Sequence, residues 1–188
     1  DHKFRDEVNL SAVNSINWAR LMPQIVYYFS SALALGAPDF KVAFSVPTGN
    51  FGNIFAGYAA SQMGLPVERL IIASNQNDIL PRFFEAGTMK RKNVVPSLSP
   101  SMDIQVSSNF ERLLFELLDR QGSKTAEVMS RFESSGKFNI EIGTLKRAQS
   151  LFSAYRLDDV GTIDEIASTA QKADMLIDPH SAVGLSAA

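Results

Sequence analysis

The chain has 188 residues with 45% hydrophobic and 20% charged side chains, an ordinary globular composition that excludes a disordered or fibrous protein. Its net charge of -2 provides no general attraction to nucleic acid or anionic lipid. The absence of cysteine excludes disulfides, thiolate metal sites and a cysteine nucleophile, and no metal site is predicted. No run approaches the ~20 apolar residues of a membrane span, so we expect a cytoplasmic protein without membrane or nucleic-acid partners.

The first long element is a predicted helix over residues 17–35. Apolar residues such as Trp18, Leu21 and Ile25 recur at intervals of three or four, and Gly36 supplies a stop signal. These side chains, Trp18 included, are expected to face the core.

Two strand–loop–helix units follow this helix. The first has a short β-branched and aromatic strand at 41–46, a loop at 47–53 and an alanine-rich helix at 54–63. The second has a strand at 69–74 and a helix at 79–85. Because alternating strands and helices form parallel sheets covered on both faces, we expect a doubly wound, three-layer α/β/α fold with a mostly parallel sheet.

The second half is predicted to be mainly helical before a final strand. The whole chain, 1–188, is interpreted as a single segment of one domain. Within it, 1–95 contains the first helix and both strand–loop–helix units, 96–172 is a loop and helical region, and 173–188 holds a returning strand. The predicted elements of this half are helices at 109–118, 126–132, 144–155 and 163–172 and a strand at 175–177.

The loop at 47–53 has the sequence PTGNFGN and carries the strongest local signal. Glycines allow a tight turn and a close ligand approach, and free loop amides beside a helix N-terminus attract anions such as phosphate. The loop lacks the lysine of a Walker A motif and the third glycine of a dinucleotide fingerprint. As a pattern alone, it fits a simple tight turn equally well.

The same loop closely resembles the pyridoxal-phosphate loop of the threonine synthase family. Four further blocks resemble that family in the same order. They are NSINWAR at 14–20, SNQNDILPRF at 74–83, SPSMDI at 99–104 and DPHSAVG at 178–184.

The resemblance implies a fold-type II enzyme that binds pyridoxal phosphate and converts O-phosphohomoserine and water to threonine and phosphate. The residues implied to hold the cofactor phosphate, mainly through backbone amides, are Gly49, Asn50, Phe51, Gly52 and Asn53. Those implied to contact the substrate are Asn14, Ser15, Asn17 and Arg20. A guanidinium can bind two phosphate oxygens at once, although an arginine on a helix is as often simply exposed to solvent. Capping the long helix is the usual role of the three polar residues, and substrate contact is secondary.

One feature of the family is missing from this sequence. The family places the lysine that links to the cofactor in a Phe-Lys-Asp context upstream of the matched blocks, and no such context occurs here. The chain also begins with Asp1 instead of methionine. We therefore expect the central and later part of a longer enzyme, inactive by itself.

Alternatives stay open for the whole chain and for individual residues. Another fold-type II lyase, such as a threonine dehydratase-like enzyme, shares the glycine-rich loop, and a non-catalytic α/β binding domain would keep it only as a turn. Asn75, Asn77 and Asp78 follow the second predicted strand at the edge where ligands collect, yet helix capping explains them as well. His180 follows the last predicted strand, where a role near the cofactor is conceivable, yet a histidine beside a proline turn is more commonly structural.

Overall fold

The computed structural model describes residues 2–8 and 16–188, with side chains in the first stretch described from residue 4 onward. The helices are α1 (His2–Glu7), α2 (Trp18–Ala34), α3 (Gly52–Gln62), α4 (Ile79–Ala86), α5 (Phe110–Leu117), α6 (Gly122–Ser135), α7 (Ile142–Gln149), α8 (Asp159–Ala173) and α9 (Pro179–Ser186). The strands are β1 (Val42–Pro47), β2 (Val67–Ser74), β3 (Thr88–Lys90), β4 (Lys137–Asn139) and β5 (Phe152–Arg156), and a 3-10 turn spans Pro100–Met102. Within these ranges no helix has the length and apolar character needed to cross a membrane.

A three-stranded parallel sheet forms the centre of the fold. Its strand order is β1-β2-β5, and the register places Val46 beside Ile72 and Ile72 beside Ala154. A separate antiparallel pair joins β3 to β4, with Met89 opposite Phe138. The predicted α/β fold with a mostly parallel sheet is confirmed.

One face of the parallel sheet carries the main core. Side chains alternate between the faces of a strand, so Val42 and Val46 of β1 share a face with Leu70 and Ile72 of β2. All four are buried in one apolar cluster with residues of α2, α3, α4 and α5. Full burial of each such side chain contributes about 1.5–3 kcal/mol, which holds these helices on the sheet.

The opposite face is covered at its carboxyl end by α9. The Ser45 hydroxyl donates to the Gly184 carbonyl at 2.5 Å, and Ala73 is buried against Val183. A Cβ on Gly184 would lie 2.9 Å from the Pro47 side chain, so α9 rests directly on the end of β1. This contact places the start of α9 beside the loop that follows β1.

Gly57 allows α3 to approach both α2 and the sheet. An added Cβ would lie 2.6 Å from the Tyr28 ring and 2.9 Å from Leu70. We expect Gly57→Ala to lower the free energy of unfolding by about 1–3 kcal/mol, measured by urea denaturation, because the core would be overpacked. Gly143→Ala in α7 is the matched control, since no atom lies within 4 Å of its added Cβ. Equal urea midpoints for wild type and Gly57→Ala would contradict this packing.

The predicted helix at 144–155 is wrong in its second half. Helix α7 ends at Gln149, and β5 begins at Phe152. The reason is the open edge of β2, where the Leu70 amide donates to the Leu151 carbonyl at 2.9 Å. Pairing with an existing strand satisfies backbone groups of this segment that a longer helix would otherwise bond internally.

The returning strand predicted within 173–188 is also wrong, and the region 96–172 contains two strands besides its loop and helices. Leu176 is 83% exposed and pairs with no strand in the described chain. Asp178 and Pro179 instead begin α9, because the Asp178 carboxylate accepts the first free amides and proline suits the first helical position.

The prediction that Trp18 lies in the core is wrong. Trp18 is 43% exposed, and the guanidinium carbon of Arg112 lies 5.3 Å from the centre of its ring. The buried residues of α2 are instead Leu21, Tyr28 and Ala32. Trp18 lies at the first position of α2, one turn before Leu21, and lines a surface pocket together with Arg112.

Candidate functional site

The loop between β1 and α3 is anchored at its first residue. The Thr48 amide donates to the Ala73 carbonyl at 2.7 Å, which continues the sheet pairing by one residue. The Thr48 hydroxyl donates to the Val46 carbonyl at 2.6 Å. Both bonds fix the point at which the chain leaves the sheet.

Phe51 turns the backbone into α3. Its φ of 67° lies in the left-handed region, which costs a non-glycine residue of order 1–3 kcal/mol. The Phe51 side chain is buried, with ring centres 5.3 Å from Phe110 and 5.9 Å from Phe152. Aromatic burial in the core offsets the backbone strain and holds the turn in place.

The carbonyl groups of the loop point into the protein. The Ser74 hydroxyl donates to the Thr48 carbonyl at 3.3 Å, and the Ser107 hydroxyl donates to the Gly49 carbonyl at 2.8 Å. The Asn109 amide donates to the carbonyl of the next loop residue at 2.9 Å. Since the peptide N–H and C=O point in opposite directions, this arrangement turns loop amides outward.

The outward amides are available to a ligand. Among the described residues, the amides of Gly49, Asn50 and Phe51 donate to no protein acceptor, and that of Asn53 lies in the first helical turn, where a helix supplies none. The Gly52 amide differs, because it donates to the Asn50 side-chain oxygen at 2.8 Å. The Asn53 side chain accepts from the Tyr28 hydroxyl at 2.7 Å.

Tyr28 supports this arrangement from within the core. Burial raises the pKa of the Tyr28 hydroxyl above its ordinary value, so the group stays protonated and serves as a donor at neutral pH. Its hydroxyl also lies 3.0 Å from the Asn53 carbonyl. The first turn of α3 is therefore fixed to α2 by a buried donor.

A cavity of about 600 Å³ opens beside these amides. The loop forms one wall, α2 a second, and the 3-10 turn with the start of α9 a third. Residues that line it include Arg20, Gln24 and Tyr27 of α2, Gly49, Asn50, Gly52 and Asn53 of the loop, and Ser101 and His180. Free amides, the N-terminus of α3 and an arginine favour an anion, so the donor set fits a phosphate group.

No protein-family model matches this chain. Among curated proteins, threonine synthase from Pseudomonas aeruginosa is 54% identical over 188 residues, covering 100% of this chain and 40% of the relative. Threonine synthase from Saccharomyces cerevisiae is 41% identical, again covering 100% of this chain and 40% of the relative. This chain is homologous to part of threonine synthase. It spans about 40% of the length of these relatives.

Comparison with solved structures also finds threonine synthases. A pyridoxal-phosphate-bound threonine synthase from Brucella melitensis matches with a TM-score of 0.96 and 53% identity over 100% of this chain and 40% of its own. The Escherichia coli enzyme matches with a TM-score of 0.73 and 28% identity over 98% of this chain and 37% of its own. The expected resemblance is confirmed, and the dehydratase-like alternative is not favoured.

The resemblance to threonine synthase implied that four residues contact the substrate. The structure does not bring all of them to the cavity. Asn14 and Ser15 lie outside the described residues. Arg20 lines the cavity, but Asn17 is not among its lining residues. Asn17 is instead the N-cap of α2, where its side-chain oxygen accepts from the Ala19 amide at 2.9 Å.

Asn17 allows a test of capping. We expect Asn17→Ala to lower the free energy of unfolding by about 1 kcal/mol, measured by urea denaturation, because an amide at the start of α2 would lose its acceptor. Asn17→Asp is the matched control, because a carboxylate accepts the same bond and should retain the stability. An alanine variant with the wild-type urea midpoint would contradict the capping role.

Several residues around the site were missed by sequence analysis. Ser107 was not predicted to contact the loop, yet its hydroxyl donates to the Gly49 carbonyl. Ser101 lies in the matched block at 99–104, but nothing in the sequence placed it or Asn109 beside the loop, because their roles depend on folding across the chain. Gln24 and Tyr27 were recoverable, since both lie on the face of α2 that carries Arg20.

A buried polar network holds the 3-10 turn beside the loop. The Asp103 carboxylate accepts from the side-chain amides of Asn75 and Asn77 at 2.8 and 2.9 Å. It also accepts from the amide and hydroxyl of Ser97 at 2.9 and 2.6 Å. The two asparagines after β2 therefore have a structural role. Their hydrogen bonds to Asp103 hold the 3-10 turn in place, and this places Ser101 in the cavity wall.

Asp78 is the centre of an ion cluster and does not cap α4 with its side chain. Its carboxylate contacts Arg82 at 2.8 Å, Arg156 at 3.3 Å and Lys92 at 3.6 Å. Burial alone would raise the pKa of Asp78, but the hydrogen bond and charge of Arg82, with Lys92 and Arg156, lower it below its ordinary value. This carboxylate joins the segment after β3 to β5.

Proposed function

We propose that this chain supplies the phosphate-binding part of a pyridoxal-phosphate site in an enzyme that converts O-phosphohomoserine and water to L-threonine and phosphate. The observation that carries the proposal is the set of outward amides at Gly49, Asn50, Phe51 and Asn53 beside a cavity. The likeness to a threonine synthase solved with pyridoxal phosphate supports it.

Each part of the site has a separate role in this proposal. The loop amides and the N-terminus of α3 bind the cofactor phosphate, since both present partial positive charge. Arg20, across the cavity, binds the phosphate of the substrate through paired donors. Asn50 orders the loop by accepting the Gly52 amide. The cofactor, when bound, supplies an electron sink that stabilises negative charge at substrate carbons.

The lysine that links to the cofactor aldehyde lies outside these residues in our proposal. No lysine is among the residues that line the cavity in the described chain. We therefore propose that residues 1–188 form one segment of the catalytic domain and are inactive alone. The enzyme would work in the cytoplasm, a location with which a sequence lacking cysteine is compatible.

Phosphate recognition can be tested without covalent capture. Pyridoxine 5′-phosphate carries the ring and the phosphate but an alcohol in place of the aldehyde, so surface lysines cannot trap it. In equilibrium dialysis we expect the 188-residue chain to retain pyridoxine 5′-phosphate and not pyridoxine, with inorganic phosphate as a competitor. Equal retention of both compounds would show that the loop amides do not select phosphate.

The reaction is tested in the protein translated from the complete gene. We expect that protein to release phosphate and form threonine from O-phosphohomoserine when pyridoxal phosphate is added. We also expect a Phe-Lys-Asp block in the coding sequence upstream. A complete protein that binds pyridoxal phosphate but forms no threonine would contradict the proposed substrate.

A further inference from the structure

His180 is held in a chain of three polar side chains at the cavity. Its Nε2 lies 2.5 Å from the Ser101 hydroxyl, and its Nδ1 lies 3.3 Å from an oxygen of Asp178. The Ser101 backbone in turn lies against the loop, because a Cβ on Gly49 would be 2.9 Å from the Ser101 carbonyl oxygen. The phosphate loop, Ser101 and His180 are thus successive contacts.

Asp178 is fixed and ionised at this position. It accepts from the amides of His180 and Ser181 at 2.9 and 3.2 Å, and from the Ser181 hydroxyl at 2.5 Å. Hydrogen bonds from Ser181 chiefly, and then from the His180 amide, lower the pKa of Asp178 to about 2. Its carboxylate is therefore only an acceptor, and the facing Nδ1 of His180 carries the hydrogen.

The direction of the Ser101 bond then depends on the charge of His180. In the neutral imidazole, Nε2 has no hydrogen and accepts the one from Ser101, whose oxygen lone pairs remain for the cavity. In the protonated imidazole, Nε2 donates to Ser101, and the serine hydrogen becomes available to a phosphate oxygen. Protonation also adds a positive charge beside the cavity.

We propose that His180 is a positioning residue that acts through Ser101, so that the cavity binds a phosphate monoester more tightly when His180 is protonated. This role rests on the proposed function, since it deepens the same site. Among residues 2–8 and 16–188, the other charged or titratable groups that line the cavity or contact His180 are Arg20 and Tyr27, across the cavity on α2, and Asp178 at the start of α9. None of these groups takes the place of the Ser101 hydroxyl as a hydrogen-bond donor to the ligand.

The test compares the affinity of the 188-residue chain for pyridoxine 5′-phosphate between pH 6 and pH 8. A phosphate monoester itself loses its second proton near pH 6, which alone strengthens binding as pH rises. The variant His180→Gln retains that ligand effect but does not titrate, so the ratio of the two affinities isolates the histidine. We expect wild type to be about three- to tenfold tighter than the variant at pH 6, with the ratio approaching one at pH 8.

Ser101→Ala tests whether the effect passes through the serine. If it does, the pH-dependent advantage over His180→Gln disappears in Ser101→Ala, although His180 is intact. Persistence of the advantage would show that the charge of His180 acts on the ligand without the serine, and would overturn the positioning role.

A signal from the histidine itself completes the test. The sequence has two histidines, His2 and His180, so the ring resonances of a 13C-histidine-labelled chain are assigned by His180→Gln. Ser101→Ala should shift the titration of the His180 resonances while leaving those of His2 unchanged. If Ser101→Ala left the His180 resonances unchanged, the contact between Ser101 and His180 would not exist in solution.

The two proposals fail in different ways. Superimposable pH profiles of wild type and His180→Gln would overturn the role of His180 and leave phosphate binding intact. Absence of pyridoxine 5′-phosphate binding by wild type at every pH would overturn the proposed function and this role with it.

Discussion

Asp78→Asn is expected to lower the free energy of unfolding by about 3 kcal/mol at pH 7, because the substitution leaves partly buried positive charge uncompensated. Only 9% of the Asp78 side chain is exposed, and 21% of that of its partner Arg82. Urea denaturation measures the change. Asp119→Asn is the matched control: its partner Arg147 lies 2.7 Å away, but both side chains are more than half exposed. Such a surface pair contributes about 0–1 kcal/mol.

The same carboxylate predicts a dependence on pH. A lowered pKa means that the stabilisation is fully present above the unfolded value, about 3.9 for aspartate, and is lost as pH falls through the folded value. The difference in stability between wild type and Asp78→Asn should therefore narrow below about pH 4. A difference that is as large at pH 3 as at pH 7 would contradict an ionised Asp78 in the folded state.

Gly49→Ala is expected to weaken binding of pyridoxine 5′-phosphate by about 10- to 100-fold. The added methyl group would overpack the contact between the loop and the 3-10 turn, and such overpacking costs about 1–3 kcal/mol. The added Cβ would meet two backbone atoms, the Ser101 carbonyl oxygen at 2.9 Å and the Met102 Cα at 3.2 Å. Neither can move as a flexible side chain does, so the loop and the turn must separate.

Equilibrium dialysis measures this loss, and circular dichroism confirms that the variant is folded. Gly122→Ala is the control, because its added Cβ meets no atom within 4 Å and the residue does not line the cavity. A folded Gly49→Ala variant with wild-type affinity would show that the loop geometry does not determine binding.

The first half of the fold could be predicted because its signals are local. The strand at 41–46 and the helix at 54–63 correspond to β1 and α3 within two residues. In the second half, apolar Leu145, Ala148 and Phe152 fit a helical period, yet Phe152 pairs with a strand 82 residues earlier in the chain. Periodicity contains no information on such a partner.

Short or capped elements were missed for other reasons. Strands β3 and β4 have three residues each, too few to show alternation. Helix α9 did carry a signal, because Asp178 followed by Pro179 is a capping residue followed by a favoured first helical residue. The apolar residues just before it favoured a strand instead.

The candidate site was only partly predictable. A glycine loop after a buried strand indicated an anion cradle at 47–53, since that inference needs only local chemistry. The wall formed by Ser101 and His180 could not be inferred, because these residues are 79 positions apart and meet only through folding. The Asp103 network that sets the wall likewise joins residues that are 26 and 28 positions apart.

The position of Phe51 makes the proposed ligand site inseparable from the aromatic core. One residue both reverses the main chain at the anion site and fills the space beside Phe110 and Phe152. A conservative change at Phe152, which does not line the cavity, would release the ring that holds the backbone in its strained conformation. Repacking the interior for thermostability would therefore alter affinity at the surface, even where no lining residue is replaced.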